Sequence, residues 1–142
     1  MVKIVFDILF IIFVLIYFWF SIKVDNWITI YHLGFRTETP ILFLKNQKIY
    51  DVIRITLFIT CLILTFYTTI IPWIICLFII AIIWVLSGKI GRNKAFDKYR
   101  EILKDLAEHE EDEKQKSEYL MELKKSNDIL QDRVTQSIKL GL

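Results

Sequence analysis

The stretch that decides the fold is "RITLFITCLILTFYTTIIPWIICLFIIAIIWVLSGK", residues 54–89, which carries no formal charge between its two ends. A single helix of this length would be about 51 Å long, whereas the hydrocarbon core of a bilayer is roughly 30 Å thick. Pro72 fits the first turn of a helix and disfavours helical conformation in the residue before it. The stretch therefore predicts a tight hairpin of two membrane-spanning helices, over about residues 49–69 and 72–91. One continuous helix kinked at Pro72 is the alternative.

A second apolar block covers residues 4–22 and contains a single acid, Asp7. Its length suits a membrane-spanning helix. A signal peptide is the alternative, but only Lys3 precedes the block and bulky aromatic residues end it, without a small-residue cleavage site. We therefore predict an all-α integral membrane protein with three transmembrane helices and a membrane domain over residues 1–92. Because Asp7 lies near the end of its span, we expect its carboxylate to be hydrated at the membrane interface.

The distribution of Lys and Arg predicts the orientation. The hairpin tip has none, whereas the loop over residues 23–48 and the segment after the third span have several. The positive-inside rule places this loop and the C-terminus in the cytoplasm, or in an organellar matrix, and the N-terminus outside. The expected location is the inner or cytoplasmic membrane of a prokaryote, or an organellar inner membrane. Within the loop, "WITIYH" (residues 27–32) permits a short strand, and a piece lying in the headgroup layer is the alternative.

The tail, residues 93–142, contains no proline and predicts a long cytoplasmic amphipathic or coiled-coil helix. Two apolar runs occur at the a and d spacing of a coiled coil, but they are out of phase, so either a stammer or a hinge must separate them. We expect the second run to bind a partner helix, with its asparagine fixing the register. This run consists of Leu120, Leu123, Asn127, Leu130 and Val134.

A basic segment connects the third span to the tail. Its Lys and Arg side chains would lie where anionic headgroups attract them, at about 1 kcal/mol for each charge near the surface. The acidic run that follows, residues 105–113, argues against a nucleic-acid-binding arm. We therefore expect lipid headgroups, and no nucleic acid, to contact Lys89, Arg92, Lys94 and Lys98.

Hydroxyl groups in the second span form one narrow stripe. Thr56, Thr60 and Tyr67 fall close together around a helix that turns 100° per residue. The stripe predicts a seam for intramembrane packing or for lining a pore. The alternative is that each threonine hydroxyl bonds to the backbone of its own helix.

No motif in the sequence indicates catalysis. It has no Gly-rich phosphate loop, no nucleophile motif and no metal-ligand spacing. Cys61 and Cys76 both lie in the apolar stretch, and the predicted hairpin brings Cys76 opposite residues near Thr65, which makes a disulfide unfavourable. His32 and His109 are isolated. We expect a protein that is not an enzyme and that needs no cofactor or metal.

The predicted layout of three spans, an outside N-terminus and a charged cytoplasmic tail resembles that of some phage holins. It is also similar to stalk-type subunits, in which a membrane anchor continues into a charged helix. The expected function is a small non-enzymatic membrane subunit that packs into a larger assembly and docks a partner, or another copy, through its cytoplasmic helix. The alternative is a self-associating pore or channel protein that permeabilises the membrane.

Overall fold

The computed structural model of the chain describes residues 2–141, with the side chains of residues 4–141. Regular structure in this part of the chain is helical throughout, which confirms the all-α prediction. One turn of 3-10 helix covers Arg36–Glu38. The α-helices are α1 (Val2–His32), α2 (Ile41–Lys45), α3 (Gln47–Thr65), α4 (Trp73–His109), α5 (Glu113–Leu123) and α6 (Asn127–Lys139).

The apolar stretch is broken where Pro72 predicts. Helix α3 ends at Thr65 and α4 begins at Trp73, so the continuous kinked helix is wrong. The carbonyl of Pro72 accepts a hydrogen bond from the backbone N–H of Cys76 at 3.1 Å, which starts the first turn of α4. Residues 66–72 form the connection, which we call the hairpin turn.

Two helices are longer than the sequence predicts. Helix α1 continues past residue 22 to His32, so the proposed strand over residues 27–32 is wrong, and Gly34, with φ of 104°, follows the end of the helix. Helix α4 passes through the predicted boundary at residue 92 and ends at His109. Neither helix contains a proline, and nothing else in the local sequence forces an earlier end.

The tail is not one long helix, and the break at residues 110–112 lies between the two apolar runs, where the sequence left a hinge as one of two alternatives. Breaks at residues 110–112 and 124–126 separate α4, α5 and α6. Each break is followed by a side-chain N-cap, a typical start for a new helix. Asp112 Oδ1 accepts from the backbone N–H of Lys114 at 3.1 Å, and Ser126 Oγ accepts from that of Ile129 at 3.5 Å. The second apolar run is therefore divided between α5 and α6.

The chain forms two compact units. The first consists of Met1–Asp25 and Ile41–Gly91, and the second of Asn26–Pro40 and Arg92–Leu142. The division after Gly91 lies next to the domain boundary that the sequence suggests. Residues 26–40, however, belong to the second unit, whereas the sequence assigned them to a loop of the membrane domain.

Two segments of the described chain are long and apolar enough to cross a membrane, Ile4–His32 and Trp73–His109. Helix α3 is not among them, since it carries Lys48, Asp51 and Arg54. The described residues thus contain two helices that could span a membrane, and the predicted count of three spans is not confirmed.

Candidate functional site

Three helices of the first unit pack around one apolar cluster. Its buried members come from α1, α3 and α4 and are Phe10, Val14, Tyr17, Cys61, Cys76 and Ile80. The outward faces of the same helices are also apolar, with Leu15, Trp19, Phe78 and Trp84 all more than half exposed. Leaving such a surface in water costs about 25 cal/mol per Å². A lipid environment removes that cost, so these faces suit contact with acyl chains.

Polar contacts in the first unit gather at two levels of the helices. At one level Arg54 Nη1 lies 3.0 Å from Asp25 Oδ1, and Arg54 Nη2 lies 3.2 Å from Asp51 Oδ1. We call these three residues the Arg54 cluster. On α1 and α4, the buried Ser87 Oγ donates to Ser21 Oγ at 3.1 Å. These ion pairs involve Asp51 and Arg54, two of the charged residues near the start of α3.

The other level is the hairpin turn, where the carboxylate of Asp7 is buried. Asp7 is only 5% exposed and caps backbone donors of the turn. Its Oδ1 accepts from the N–H of Thr69 at 3.3 Å and of Ile71 at 3.2 Å, and its Oδ2 accepts from Thr69 Oγ1 at 3.2 Å. The expected hydrated carboxylate is therefore wrong. Hydrogen bonds from the turn replace water around this charge.

The two levels are separated by about the thickness of a membrane. Asp7 and Asp25 both lie on α1, and at 1.5 Å per residue they are about 27 Å apart along the helix axis. The hydrocarbon core is roughly 30 Å thick. Aromatic pairs accompany each level, since Phe20 stacks on Tyr50 at 5.9 Å and Phe6 on Tyr67 at 5.4 Å. This arrangement matches the aromatic belts of membrane proteins.

The predicted hydroxyl stripe does not form a shared seam. Thr56 Oγ1 donates to the carbonyl of Val52 at 2.8 Å, and Thr60 Oγ1 donates to the carbonyl of Thr56 at 2.8 Å. Tyr67 lies beyond the end of α3, in the hairpin turn, with its ring stacked on Phe6. Both threonine hydroxyls thus bond to their own helix, which was the alternative interpretation.

The second unit has an interior of buried, mainly apolar side chains. Its cluster combines Leu33, which directly follows α1, with residues of α4 and α6, and Phe35, Tyr119 and Leu123 pack against it. Leu130 is fully buried, at 0% exposure. The buried members are Leu33, Phe96, Tyr99, Leu103, Leu130 and Val134.

A polar network covers one side of this interior. Arg133 donates to both carboxylate oxygens of Glu122, at 2.9 and 3.2 Å, and Tyr99 Oη donates to Glu122 Oε2 at 2.9 Å. Lys125 pairs with the same carboxylate. The hydrogen bonds from Arg133 lower the pKa of Glu122 to about 2, and Glu122 in turn raises the pKa of Arg133. The network connects α4, α5 and α6.

The predicted partner-binding residues separate into two groups. Leu130 and Val134 are buried in the interior of the second unit, and Leu123 packs against it. Leu120, by contrast, is 46% exposed. Asn127 begins α6 and accepts from Arg100 Nη2 at 2.6 Å, so it lies on the surface and not at a buried register position. The five residues do not form one continuous stripe.

A shallow groove of about 430 Å³ lies beside α5. No residue of α5 is fully buried, which distinguishes it from α6. The groove is lined by Tyr99, Leu103, Glu118, Tyr119, Met121, Glu122 and Lys125.

The predicted headgroup-binding residues all belong to α4. Lys89 and Lys94 are exposed and Arg92 is partly buried. Lys98 Nζ lies 3.4 Å from Glu38 Oε2, so Lys98 forms an ion pair within the second unit.

The sequence reasoning missed both polar sites. Asp7 was visible as the lone acid of an apolar block, but its donors lie more than sixty positions away. Glu122 and Arg133 gave no signal, because their pairing depends on the break at residues 124–126. Cys61 and Cys76 are free thiols. Among the described residues, no group of three or more His, Cys, Asp or Glu side chains comes together to hold a metal ion. No protein-family model, curated protein or solved structure matches this chain.

Proposed function

We propose that this chain is a small non-enzymatic membrane subunit that packs into a larger membrane assembly. Its first unit is the anchor, and its second unit docks another subunit or a second copy on the cytoplasmic or matrix side. The observation that carries the proposal is the reversal of surface character. Large apolar side chains face outward along the helices of the first unit, whereas the second unit buries Leu33, Leu103 and Leu130 in an apolar interior.

Three spans fit the geometry of the first unit better than two. Helix α3 contributes Cys61 to the same cluster as α1 and α4, and Leu57, Phe58 and Leu62 pack there as well. Its charged start coincides with the Arg54 cluster, at one of the two polar levels. With three spans the positive-inside rule gives an outside N-terminus and an inside C-terminus. A reporter fused after Leu142 is then expected in the cytoplasm, and one at the N-terminus outside.

Helix α5 is the docking element that the structure favours within the second unit. Leu120 and Met121 are exposed on it, and Met121 also lines the groove. Leu130 and Val134 are buried in the interior of the second unit, so they stabilise it and do not contact a partner directly. The basic residues of α4 contribute attraction to anionic headgroups.

The docking surface is tested by the size of the detergent-solubilised native complex. Leu120→Ser with Met121→Ser removes exposed apolar area and should release the partner without unfolding the unit. Ile129→Ser is the matched control, because Ile129 is similarly exposed but lies on α6. An unchanged complex mass in the double variant, or equal loss in the control, contradicts docking through α5.

The pore alternative is tested separately, by dye leakage from liposomes that contain the purified chain. The hydroxyls of Thr56 and Thr60 are already bonded to α3, and no other observation favours a conducting path. We expect a tight bilayer at high protein density. Leakage that rises with protein density supports self-associated pores and overturns the subunit proposal.

A further inference from the structure

Asp7 is a buried acid at one end of a membrane-sized helix bundle, and the proposed function does not use it. We propose that the ionised carboxylate of Asp7 holds the hairpin turn closed and that a proton on this carboxylate opens the turn. The inference concerns the first unit alone and does not depend on a docking partner.

The first step is the geometry of the carboxylate. Its contacts come from one short segment, the backbone N–H groups of Thr69 and Ile71 and the hydroxyl of Thr69. Thr69 and Ile71 lie outside α3 and α4, so their N–H groups do not take part in the hydrogen bonds of either helix. A buried N–H without an acceptor costs about 1–3 kcal/mol. The carboxylate therefore stabilises a connection that the backbone alone leaves unsatisfied.

The second step is that, within residues 4–141, no basic side chain on the packed helices pairs with Asp7. Helix α3 has no formal charge after Arg54, and α4 has none before Lys89. The other titratable groups near the turn are the Tyr67 hydroxyl and the Cys76 thiol, and Asp7 forms no ion pair with any described side chain. Lys3, one turn away on the same helix, has its side chain outside the described part. Among the described residues, the contacts of this carboxylate are therefore with neutral hydrogen-bond donors.

The third step is the effect of a proton. The proton comes from the surrounding water and forms an O–H bond on one carboxylate oxygen. That oxygen loses its negative charge and becomes a donor, although it faces donors from the turn. The bonds from Thr69 and Ile71 then weaken, and the cost of keeping their N–H groups buried favours an open turn.

The chain contains a native reporter of this opening. Thr68 Oγ1 spans the turn, donating to the carbonyls of Thr65 at 2.9 Å and Ile71 at 3.1 Å, and it lies 3.6 Å from Cys76 Sγ. Cys76 is 0% exposed and Cys61 1% exposed. The Cys76 thiol lies beside Thr68 of the turn, whereas Cys61 lies within α3. Opening should therefore expose Cys76 before Cys61.

The experiment measures maleimide modification of the two thiols by peptide mass spectrometry, with the full chain in nanodiscs. The Cys76 to Cys61 ratio cancels the pH dependence that the two thiols share. Asp7→Asn, which removes the charge at nearly constant size, should raise this ratio at least tenfold at neutral pH. The unaltered chain should show a rise of the same kind as the pH falls, and Asp7→Asn should no longer respond to pH.

Two further variants keep the test sharp if Asp7→Asn folds poorly. Thr69→Val removes one donor and should raise the ratio, whereas Thr69→Ser retains the hydroxyl and should not. Asp25→Asn makes the same charge change on α1, but in the Arg54 cluster. A ratio that is constant in the Asp7 variant and across pH overturns the proposal. An equal rise in the Asp25 variant also overturns it, because that result indicates general loosening.

Discussion

The two units of this chain expose different kinds of side chain, although both consist of α-helices. In the first unit, Phe78 and Trp84 face outward and the polar groups Asp7 and Ser87 are buried. In the second, Leu130 is buried, while Glu122 and Arg133 pair on a partly exposed surface. Helical structure does not distinguish the two. The difference lies in which side chains each unit presents to its surroundings.

Helices α1 and α4 each contribute residues to both units, so the change of character occurs within single helices. Helix α4 begins with an apolar segment and ends in "NKAFDKYREILKDLAEH", residues 93–109, where apolar residues recur at helical spacing among charges. Apolar residues all round a helix suit lipid, whereas an apolar stripe suits a packed interior in water. One helix can therefore serve two solvents without a break.

The largest effect should come from truncating Leu130 in the interior of the second unit. Leu130→Ala leaves a cavity and should destabilise the unit by about 2–5 kcal/mol. Hydrogen exchange of α6 amides in the full chain, held in detergent micelles, should speed up roughly 30-fold or more. Leu15→Ala is the matched control, since Leu15 is exposed on α1 and should lose contact with lipid only. An equal rise in α6 amide exchange in both variants would contradict the view that Leu130 is an interior residue and Leu15 a lipid-facing one.

A smaller effect should come from the Glu122 network and should depend on pH. The pKa of Glu122 is held at about 2, below its ordinary 4.5, so its contribution is present above pH 4.5 and is lost as the pH falls toward 2. Glu122→Gln should destabilise the second unit by about 1 kcal/mol at neutral pH and remove this acid-dependent loss. The measurement is the protection factor of the α6 amides at each pH, which is the intrinsic exchange rate divided by the observed one. Glu118→Gln, on the same helix, should leave the pH profile unchanged. The same change in that variant would show that the pH dependence does not come from the Glu122 network.

The smallest effect should come from the hydroxyls of α3. Thr56→Val with Thr60→Val keeps side-chain shape and removes only bonds to the carbonyls of the same helix. We expect the midpoint of thermal unfolding in micelles to remain within experimental error, and liposomes to stay tight. A large shift would mean that these hydroxyls bond to another helix or another copy in the membrane.

The sequence was sufficient for what depends on local chemistry. Pro72 predicted the break between α3 and α4, and the apolar blocks predicted α1 and α4, the two helices that are long and apolar enough to cross a membrane. These features follow from backbone restriction and from side-chain hydrophobicity, which a sequence displays directly.

The sequence was insufficient for what depends on contacts between distant residues. Leu130 and Val134 were assigned to a partner helix, because the break capped by Ser126 was not recognised and their intramolecular neighbours lie on α4. Asp7 was expected to be hydrated, because its donors lie in the hairpin turn, more than sixty positions away in the sequence. In both cases the residue contacts a distant part of the same chain: Leu130 and Val134 pack in the interior of the second unit, and Asp7 accepts hydrogen bonds from the hairpin turn.

The central claim, that the first unit lies in lipid and the second in water, is tested by one pair of cysteines. Phe78 and Met121 are both 66% exposed, so neither is hidden by the protein itself. Each is replaced singly, as Phe78→Cys and Met121→Cys, in membranes opened to both sides and treated with a membrane-impermeant maleimide. Cysteine at 121 should be labelled rapidly, and cysteine at 78 only after the membrane is dissolved in a denaturing detergent. Equal, rapid labelling at both positions in the intact bilayer would contradict the account.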